Sequence, residues 1–114
     1  IQGGVSANTT AMFEQQAEHI AYIIAEAQQR GATTVEPSRE GQDAWVGTVR
    51  ELAIDNSAFE LSCTPGYYNN EGRGAAKDNG GFLGDFYSPG FYAFGDLLAE
   101  WRAKGDLDGL VLGK

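Results

Sequence analysis

The apolar residues between Thr10 and Arg30 recur with the period of an α-helix. Spacings of four and three residues alternate, which places these side chains on one stripe of a helix. The stripe comprises Phe13, Ala17, Ile20, Ile24 and Ala27. Asn8, Thr9 or Thr10 can supply the N-cap oxygen, and Gly31 suits the C′ position. We therefore predict a helix over about residues 10–30 that rests its apolar stripe on another surface and leaves Gln15, Glu26 and Gln29 on the opposite face.

Two further stripes predict helices over roughly residues 38–54 and 89–104. The first stripe comprises Trp45, Val49 and Leu52, and the second comprises Phe91, Phe94, Leu98 and Trp101. Pro37 suits the first position of one helix, and Ser88-Pro89 suits the N-cap and first position of the other, which stops at Gly105. Gly41 and Gly47 weaken the middle helix, since each lowers helix propensity by up to about 1 kcal/mol.

Between these helices, residues 56–88 are rich in Gly, Asn and Tyr and have the composition of turns. A loop of this length is either functional or flexible, and a short strand is expected within residues 81–87. Residues 32–36 form an extended connector, and residues 107–112 form an extended tail that docks on a surface. The fold class is thus mainly α, with about three helices, one long loop and short extended segments, and residues 1–114 form a single unit.

The charge balance excludes several classes of partner. Sixteen acidic residues face eight basic ones, which gives a net charge of −8. Nucleic acids and anionic membranes bind clustered Lys and Arg, so neither is expected as a partner. No apolar stretch approaches the twenty or so residues of a membrane span, and no charged n-region precedes an apolar h-region, so the chain is expected to be soluble and unexported. A lone Cys63 suits a reducing cytoplasm. Met12 is the only methionine, so the chain does not begin with an initiator methionine, and we expect an excised or proteolysed piece.

The chain contains few groups that could perform chemistry. Cys63 and His19 are the only cysteine and histidine; they could pair for nucleophilic catalysis, although an inert thiol is the simpler interpretation. One His and one Cys make no zinc site, and no metal is expected. Neither of the glycine-rich phosphate-binding motifs, G-x-G-x-x-G or the P-loop, occurs.

Residues 63–73 read Cys-Thr-Pro-Gly-Tyr-Tyr-Asn-Asn-Glu-Gly-Arg. Tyr67 and Tyr68 offer faces for stacking and hydroxyl groups, and Asn69 and Asn70 offer amides that donate and accept hydrogen bonds. The segment suits a loop that covers a polar ligand. It suits equally an ordinary surface loop whose tyrosines pack back on the domain.

Several segments together resemble the C-terminal region of type I Baeyer-Villiger monooxygenases. They are Gln2-Gly-Gly-Val-Ser-Ala-Asn-Thr9, Phe13-Glu-Gln-Gln16, Val35-Glu-Pro37 with Trp45, Cys63-Thr-Pro-Gly-Tyr-Tyr-Asn-Asn-Glu-Gly72, Gly90-Phe-Tyr92 and Asp108-Gly-Leu-Val-Leu112. Their order and spacing match over nearly the whole chain. The Pro-Gly-Tyr-Tyr-Asn-Asn form is similar to the branch that acts on bulky cyclic and steroid-like ketones.

The resemblance implies an α/β parent enzyme that uses FAD, NADPH and O2 to convert ketones to esters or lactones. It also implies that this region packs on the FAD-binding domain of the parent. Gly4, Val5, Ser6, Ala7 and Asn8 would line the substrate pocket, and Thr64, Tyr67, Tyr68 and Asn69 would belong to a control loop over NADP. Better-known relatives carry a tryptophan at about the place of Thr64, so its ligand contact would pass to Tyr67 or Tyr68 or be absent.

Neither glycine-rich fingerprint nor the family's F-x-G-x-x-x-H motif occurs in these residues. The isolated chain is therefore expected to be inactive and to bind neither FAD nor NADPH, and its partners would be the rest of the parent, the parent's ketone substrate or a second copy of the fragment. The alternative is a self-contained small helical binding or regulatory module. A fragment should expose its apolar stripes, whereas a module should satisfy them internally.

Overall fold

The computed structural model describes residues 8–55, 57–66, 71 and 86–114. The elements in this part of the chain are, in order, α1 (Thr9–Gln29), β1 (Thr34–Pro37), α2 (Arg39–Glu51), α3 (Ser57–Ser62), α4 (Phe91–Lys104) and β2 (Leu110–Gly113). The mainly α class is confirmed, with three long helices close to their predicted bounds. The loop predicted over residues 56–88 is wrong at its start, where α3 forms. Most of the strand expected within residues 81–87 lies outside the described residues.

Both ends of α1 are defined by local hydrogen bonds, as the sequence predicts. The side-chain oxygen of Asn8 accepts a hydrogen bond from the amide of Ala11 at 3.0 Å, which caps the first turn. At the other end Gly31 adopts a φ of +69°. The amides of Gly31 and Ala32 donate to the carbonyls of Gln28 and Ala27, each at 2.9 Å. This pair of bonds is the Schellman motif that glycine favours after a helix.

The start of α2 corrects the prediction that Pro37 is its first residue. Pro37 belongs to β1, and Ser38 is the N-cap, with its hydroxyl accepting from the Gly41 amide at 2.9 Å. A Cβ at Gly41 would lie 2.7 Å from the Cα of Gly109, in the turn before β2. The close approach of the Gly109 backbone therefore explains why position 41 is a glycine, although glycine weakens the helix.

The two short strands pair in antiparallel register, from Thr34 opposite Gly113 to Pro37 opposite Leu110. Two further hydrogen bonds of 2.8 Å extend the pairing, from the Thr33 amide to the Gly113 carbonyl and from the Ser38 amide to the Gly109 carbonyl. The extended connector and the docked tail that the sequence predicts are thus two halves of one pair. This β clasp joins the region between α1 and α2 to the end of the chain.

Helix α4 starts later than predicted, because Ser88 and Pro89 belong to a turn rather than to the helix. The amide of Gly90 donates to the Tyr87 carbonyl at 3.2 Å and closes that turn. Gly90 has a φ of +97° and is the residue before the first helical one. The predicted end is confirmed, since Gly105 adopts a left-handed φ of +67°.

Helices α1 and α4 lie side by side and run in the same direction. Gln15 donates to the Phe91 carbonyl at 3.3 Å, and the Tyr22 hydroxyl donates to the Arg102 carbonyl at 3.0 Å. Arg30 reaches the Gly105 carbonyl beyond the end of α4. Polar side chains of α1 therefore bond to backbone carbonyls at both ends of α4 and just beyond it.

The packed face of α1 differs from the predicted one. Met12 and Ala27 are buried, and Gln15 and Tyr22 bond to α4. Of the predicted stripe only Ala27 is buried, whereas the large apolar members remain about half exposed: Phe13 49%, Ile20 55% and Ile24 48%. The prediction failed because the polar groups of Gln15 and Tyr22 find acceptors on α4, so a mixed face packs better than a purely apolar one.

The core formed by the described residues is thin. Its buried members are Met12, Ala27, Val49, Phe94 and Leu107. Leu107 is only 3% exposed and has a φ of +58°. A left-handed leucine costs about 1–2 kcal/mol, and burial of its side chain offsets that cost. Within the described ranges no helix is both long and apolar enough to cross a bilayer.

Candidate functional site

An open groove of about 860 Å³ lies between the helices of the described chain. Its walls come from α1, α2, α4 and the turn before β2. The side chains that give it its character are His19, Ile23, Trp45, Phe94, Leu98 and Trp101. We call it the aromatic groove. Grooves of this volume with mainly apolar walls are typical of binding surfaces for ligands or partner segments.

Two tryptophans of the aromatic groove are fixed by specific contacts. The Trp101 indole donates to the Asp108 carbonyl at 3.0 Å, which joins α4 to the turn before β2. Trp45 stacks on Tyr87 with ring centroids 5.7 Å apart and planes 20° from parallel. Phe94 completes that cluster, 6.1 Å from Trp45 and 5.8 Å from Tyr87. The groove walls are therefore positioned before anything binds.

His19 contributes the polar edge of the groove. Its ring meets Trp101 edge to face, with centroids 4.9 Å apart. Burial lowers the pKa of the His19 imidazole, and the nearby Arg102 guanidinium lowers it further. The imidazole is therefore neutral at pH 7. Its Nδ1 is buried, and in the described part of the chain it has no hydrogen-bond partner.

A catalytic pair of Cys63 and His19 gains no support from the geometry. His19 packs on Trp101, whereas Cys63 follows α3 and is half-buried. No hydrogen bond joins these two described residues, so the thiol lacks the adjacent base that nucleophilic catalysis requires. Among the described residues no group of three His, Cys, Asp or Glu side chains could hold a metal ion.

Most of the predicted site residues lie outside the described residues: Gly4, Val5, Ser6, Ala7, Tyr67, Tyr68 and Asn69. The two that are described lie at the borders of their predicted loops. Asn8 caps α1, and Thr64 is exposed just after α3. Asn8 thus has a structural role as the N-cap of α1, and its place in the substrate pocket stays a prediction.

The aromatic groove was not predicted, because Trp45 belongs to one apolar helix stripe and Phe94 and Trp101 belong to another, and the sequence does not show that the two stripes meet. No local sequence signal marks the groove, because it forms only where α1, α2 and α4 converge.

Over most of its length the chain is similar to known monooxygenases. It is 40% identical over 111 residues to a neopentalenolactone D synthase of Streptomyces avermitilis, a match that covers 97% of this chain and 18% of the relative. It is 44% identical over 104 residues to a Baeyer-Villiger monooxygenase of Streptomyces coelicolor, covering 91% of this chain and 16% of the relative. The chain looks like the C-terminal part of a Baeyer-Villiger monooxygenase.

The similarity extends to fungal FAD-binding monooxygenases. One from Penicillium brasilianum is 36% identical over 118 residues, covering 96% of this chain and 18% of the relative. The chain thus spans less than a fifth of the length of these relatives. No family model and no solved structure matches the chain. The resemblance to Baeyer-Villiger monooxygenases inferred from the sequence motifs is confirmed.

Proposed function

We propose that the chain is the C-terminal part of a flavin-dependent Baeyer-Villiger monooxygenase, which converts ketones to esters or lactones with NADPH and O2. The observation that carries this proposal is the similarity to monooxygenases over 91–97% of the chain at 40–44% identity. The names of the fungal relatives support FAD as the cofactor of the parent. NADPH as the reductant and a cytoplasmic location are further parts of the proposal.

The described residues do not by themselves fit a dinucleotide. FAD and NADPH are usually held by a glycine-rich turn between a parallel strand and a helix, with the pyrophosphate at the helix N-terminus. In the described ranges, the two strands are antiparallel and four residues long. The cofactors would therefore be bound by other parts of the parent enzyme, and the isolated chain would be inactive.

The contribution of this chain is proposed to lie in two loops. Residues Gly4–Asn8 would line the substrate pocket, directly before α1. Residues Thr64 and Tyr67–Asn69 would belong to a control loop over NADP, whose tyrosines stack and whose amide donates and accepts hydrogen bonds. The described residues next to these loops hold fixed positions. Asn8 joins the pocket loop to the first turn of α1. Tyr87, which follows the control loop in sequence, stacks on Trp45.

The control loop is tested by replacing Tyr67 and Tyr68 together with Ala in the parent enzyme. Stacking of an aromatic side chain is worth about 0.5–1.5 kcal/mol, so the KM for NADPH should rise up to about tenfold. A poorly closed site also admits water, so hydrogen peroxide release per NADPH should increase while flavin content stays normal.

Tyr92→Ala provides the matched control, since Tyr92 is a tyrosine that is 84% exposed and belongs to α4 rather than to the Tyr67–Asn69 segment. It should leave the KM for NADPH and the coupling of NADPH use to product unchanged. If the Tyr67 and Tyr68 variant behaves like this control, the segment is an ordinary surface loop.

A self-contained binding module is the second candidate function, and the aromatic groove is the observation that favours it. Its walls are organised within the described chain by the Trp101–Asp108 and Trp45–Tyr87 contacts. A module of this kind would be a folded monomer that binds no hydrophobic dye, whereas a fragment would expose surface that the parent covers. The half-exposed Phe13, Ile20 and Ile24 favour the fragment.

A further inference from the structure

The rim of the aromatic groove carries an excess of negative charge. Three carboxylates and one ammonium group lie among its lining residues, namely those of Glu40, Glu100, Asp108 and Lys104. All four residues are exposed, and none belongs to an ion pair found within the described part of the chain. The carboxylates come from α2, from α4 and from the turn before β2. They therefore border the groove on different sides, and one ammonium group does not balance them.

The walls below this rim are apolar and aromatic. Phe94 is buried, and Trp45 and Trp101 are half-buried, so part of each indole ring remains accessible in the groove. The faces of aromatic rings are electron-rich, and tryptophan attracts cations more strongly than the other aromatic side chains. The groove thus combines apolar surface with two kinds of group that attract positive charge.

Neighbouring basic groups do not cancel this attraction. The His19 imidazole is neutral at pH 7, because burial and the Arg102 guanidinium lower its pKa. Arg102 itself is not among the lining residues, and its Nη2 lies 3.9 Å from the Glu18 carboxylate. Lys104 is therefore the one positive charge among the described residues that line the groove.

We propose that the aromatic groove binds a small organic cation, an amine or a quaternary ammonium compound with an apolar body. Charge complementarity carries the inference, since the carboxylates would face the cationic group while the aromatic walls cover the body. The groove volume of about 860 Å³ lies within the range of small-molecule sites. The same carboxylates disfavour anionic ligands such as phosphates. The inference goes beyond the proposed function and takes from it only the existence of a longer polypeptide.

The test compares three ligands that share one apolar body. The amine is 3-phenylpropylamine, which is protonated at pH 7 as the Lys side chain is; 3-phenylpropanol is neutral, and 3-phenylpropionate is an anion. Calorimetric titration of the full-length enzyme gives the dissociation constants. We expect the amine to bind at least about fivefold more tightly than the alcohol, and the propionate to bind more weakly than both. Added salt should reduce the preference for the amine, because exposed carboxylates are screened.

Charge variants of the rim locate the binding site. Glu40→Gln combined with Glu100→Gln removes two carboxylates with little change of shape, so the preference for the amine over the alcohol should fall about threefold. Lys104→Gln removes the opposing charge, and the preference should rise about twofold. Asp96→Asn is the matched control, because Asp96 is an exposed carboxylate of α4 that does not line the groove. It should leave the preference unchanged.

Three outcomes would overturn the proposal. The first is that the wild-type enzyme binds the amine no more tightly than the alcohol, or binds neither. The second is that Asp96→Asn lowers the preference as much as the rim variant, which would indicate general attraction to an acidic protein. The third is that Lys104→Gln fails to raise the preference. This last measurement decides the question even if the double variant does not fold.

The titration requires neither turnover nor added NADPH. A full-length protein that oxidises no ketone but shows the expected charge dependence would refute the proposed function and keep the cation site. A functional monooxygenase without preference for the amine would do the reverse.

Discussion

Replacement of Gly41 by Ala should destabilise the chain even though alanine is the better helix former. An ideal Cβ at Gly41 lies 2.7 Å from both the Cα and the carbonyl oxygen of Gly109, and 3.1 Å from its carbonyl carbon. Carbon atoms in ordinary contact are about 3.5–4.0 Å apart, so the overlap with Cα is about 1 Å. Because the opposing atoms belong to the backbone, no change of rotamer relieves it.

The magnitude follows from two opposing effects. Overpacking of this kind costs about 1–3 kcal/mol, and the gain in helix propensity from Gly to Ala is at most about 1 kcal/mol. The free energy of unfolding should therefore fall by about 1–2 kcal/mol. Gly47 is the matched control in the same helix, because a Cβ there meets nothing within 4 Å. Gly47→Ala should raise the free energy of unfolding by about 0.5–1 kcal/mol.

Urea unfolding of the two variants and the wild type, followed by circular dichroism at the helical band, measures both changes. The two substitutions must have opposite signs. If Gly41→Ala unfolds at the same urea concentration as the wild type or at a higher one, the turn before β2 does not lie against α2, and the account of the β clasp given above is wrong.

Three further predictions concern the isolated chain. It should elute colourless from gel filtration after incubation with FAD, because the described residues offer no dinucleotide cradle; stoichiometric yellow protein would contradict this. It should self-associate or bind a hydrophobic dye, and Ile20→Gln with Ile24→Gln should reduce the effect measured by light scattering or fluorescence, whereas Gln29→Ala should not. Finally, the pKa of His19 is lowered in the folded state, so the unfolded chain binds a proton at a higher pH than the folded one. The free energy of unfolding should therefore fall as the pH drops below about 6.5, and His19→Phe should weaken this dependence. If the variant and the wild type show the same change of urea midpoint with pH, His19 does not have this role.

The sequence predicted best those features that depend on neighbouring residues alone. Gly31 and Gly105 end their helices as expected, because a left-handed residue after the last turn is a local requirement. Asn8 likewise caps α1 by a bond to an amide three residues away. Helix existence and helix ends that follow such local rules could be inferred without any knowledge of the tertiary structure.

Features that depend on distant residues were predicted less well. Pro37 does not start α2, because it pairs opposite Leu110 in the β clasp. Ser88 and Pro89 do not start α4, because the Gly90 amide closes a turn around them. Local patterns contain no information about either partner.

The same distinction between local and tertiary features applies to the candidate site. The family could be recognised from short motifs spread over the chain, and the comparisons confirm it. The aromatic groove could not be inferred, because it arises where α1, α2 and α4 converge. The side of α1 that packs on α4 could not be inferred from the sequence either, since it depends on which carbonyls of α4 accept hydrogen bonds from Gln15 and Tyr22.

The pairing of α1 with α4 has a consequence for the synthesis of the chain on the ribosome. The hydrogen bonds that join the two helices connect residues 76 and 80 positions apart. At a translation rate of about 5–20 residues per second, roughly 4–15 s pass between the synthesis of the two partners. During this interval the side of α1 that later packs on α4 has no helix to pack on, and Met12 and Ala27 remain accessible to chaperones. The β clasp closes later still, because Thr34 pairs with Gly113, which is synthesised after α4.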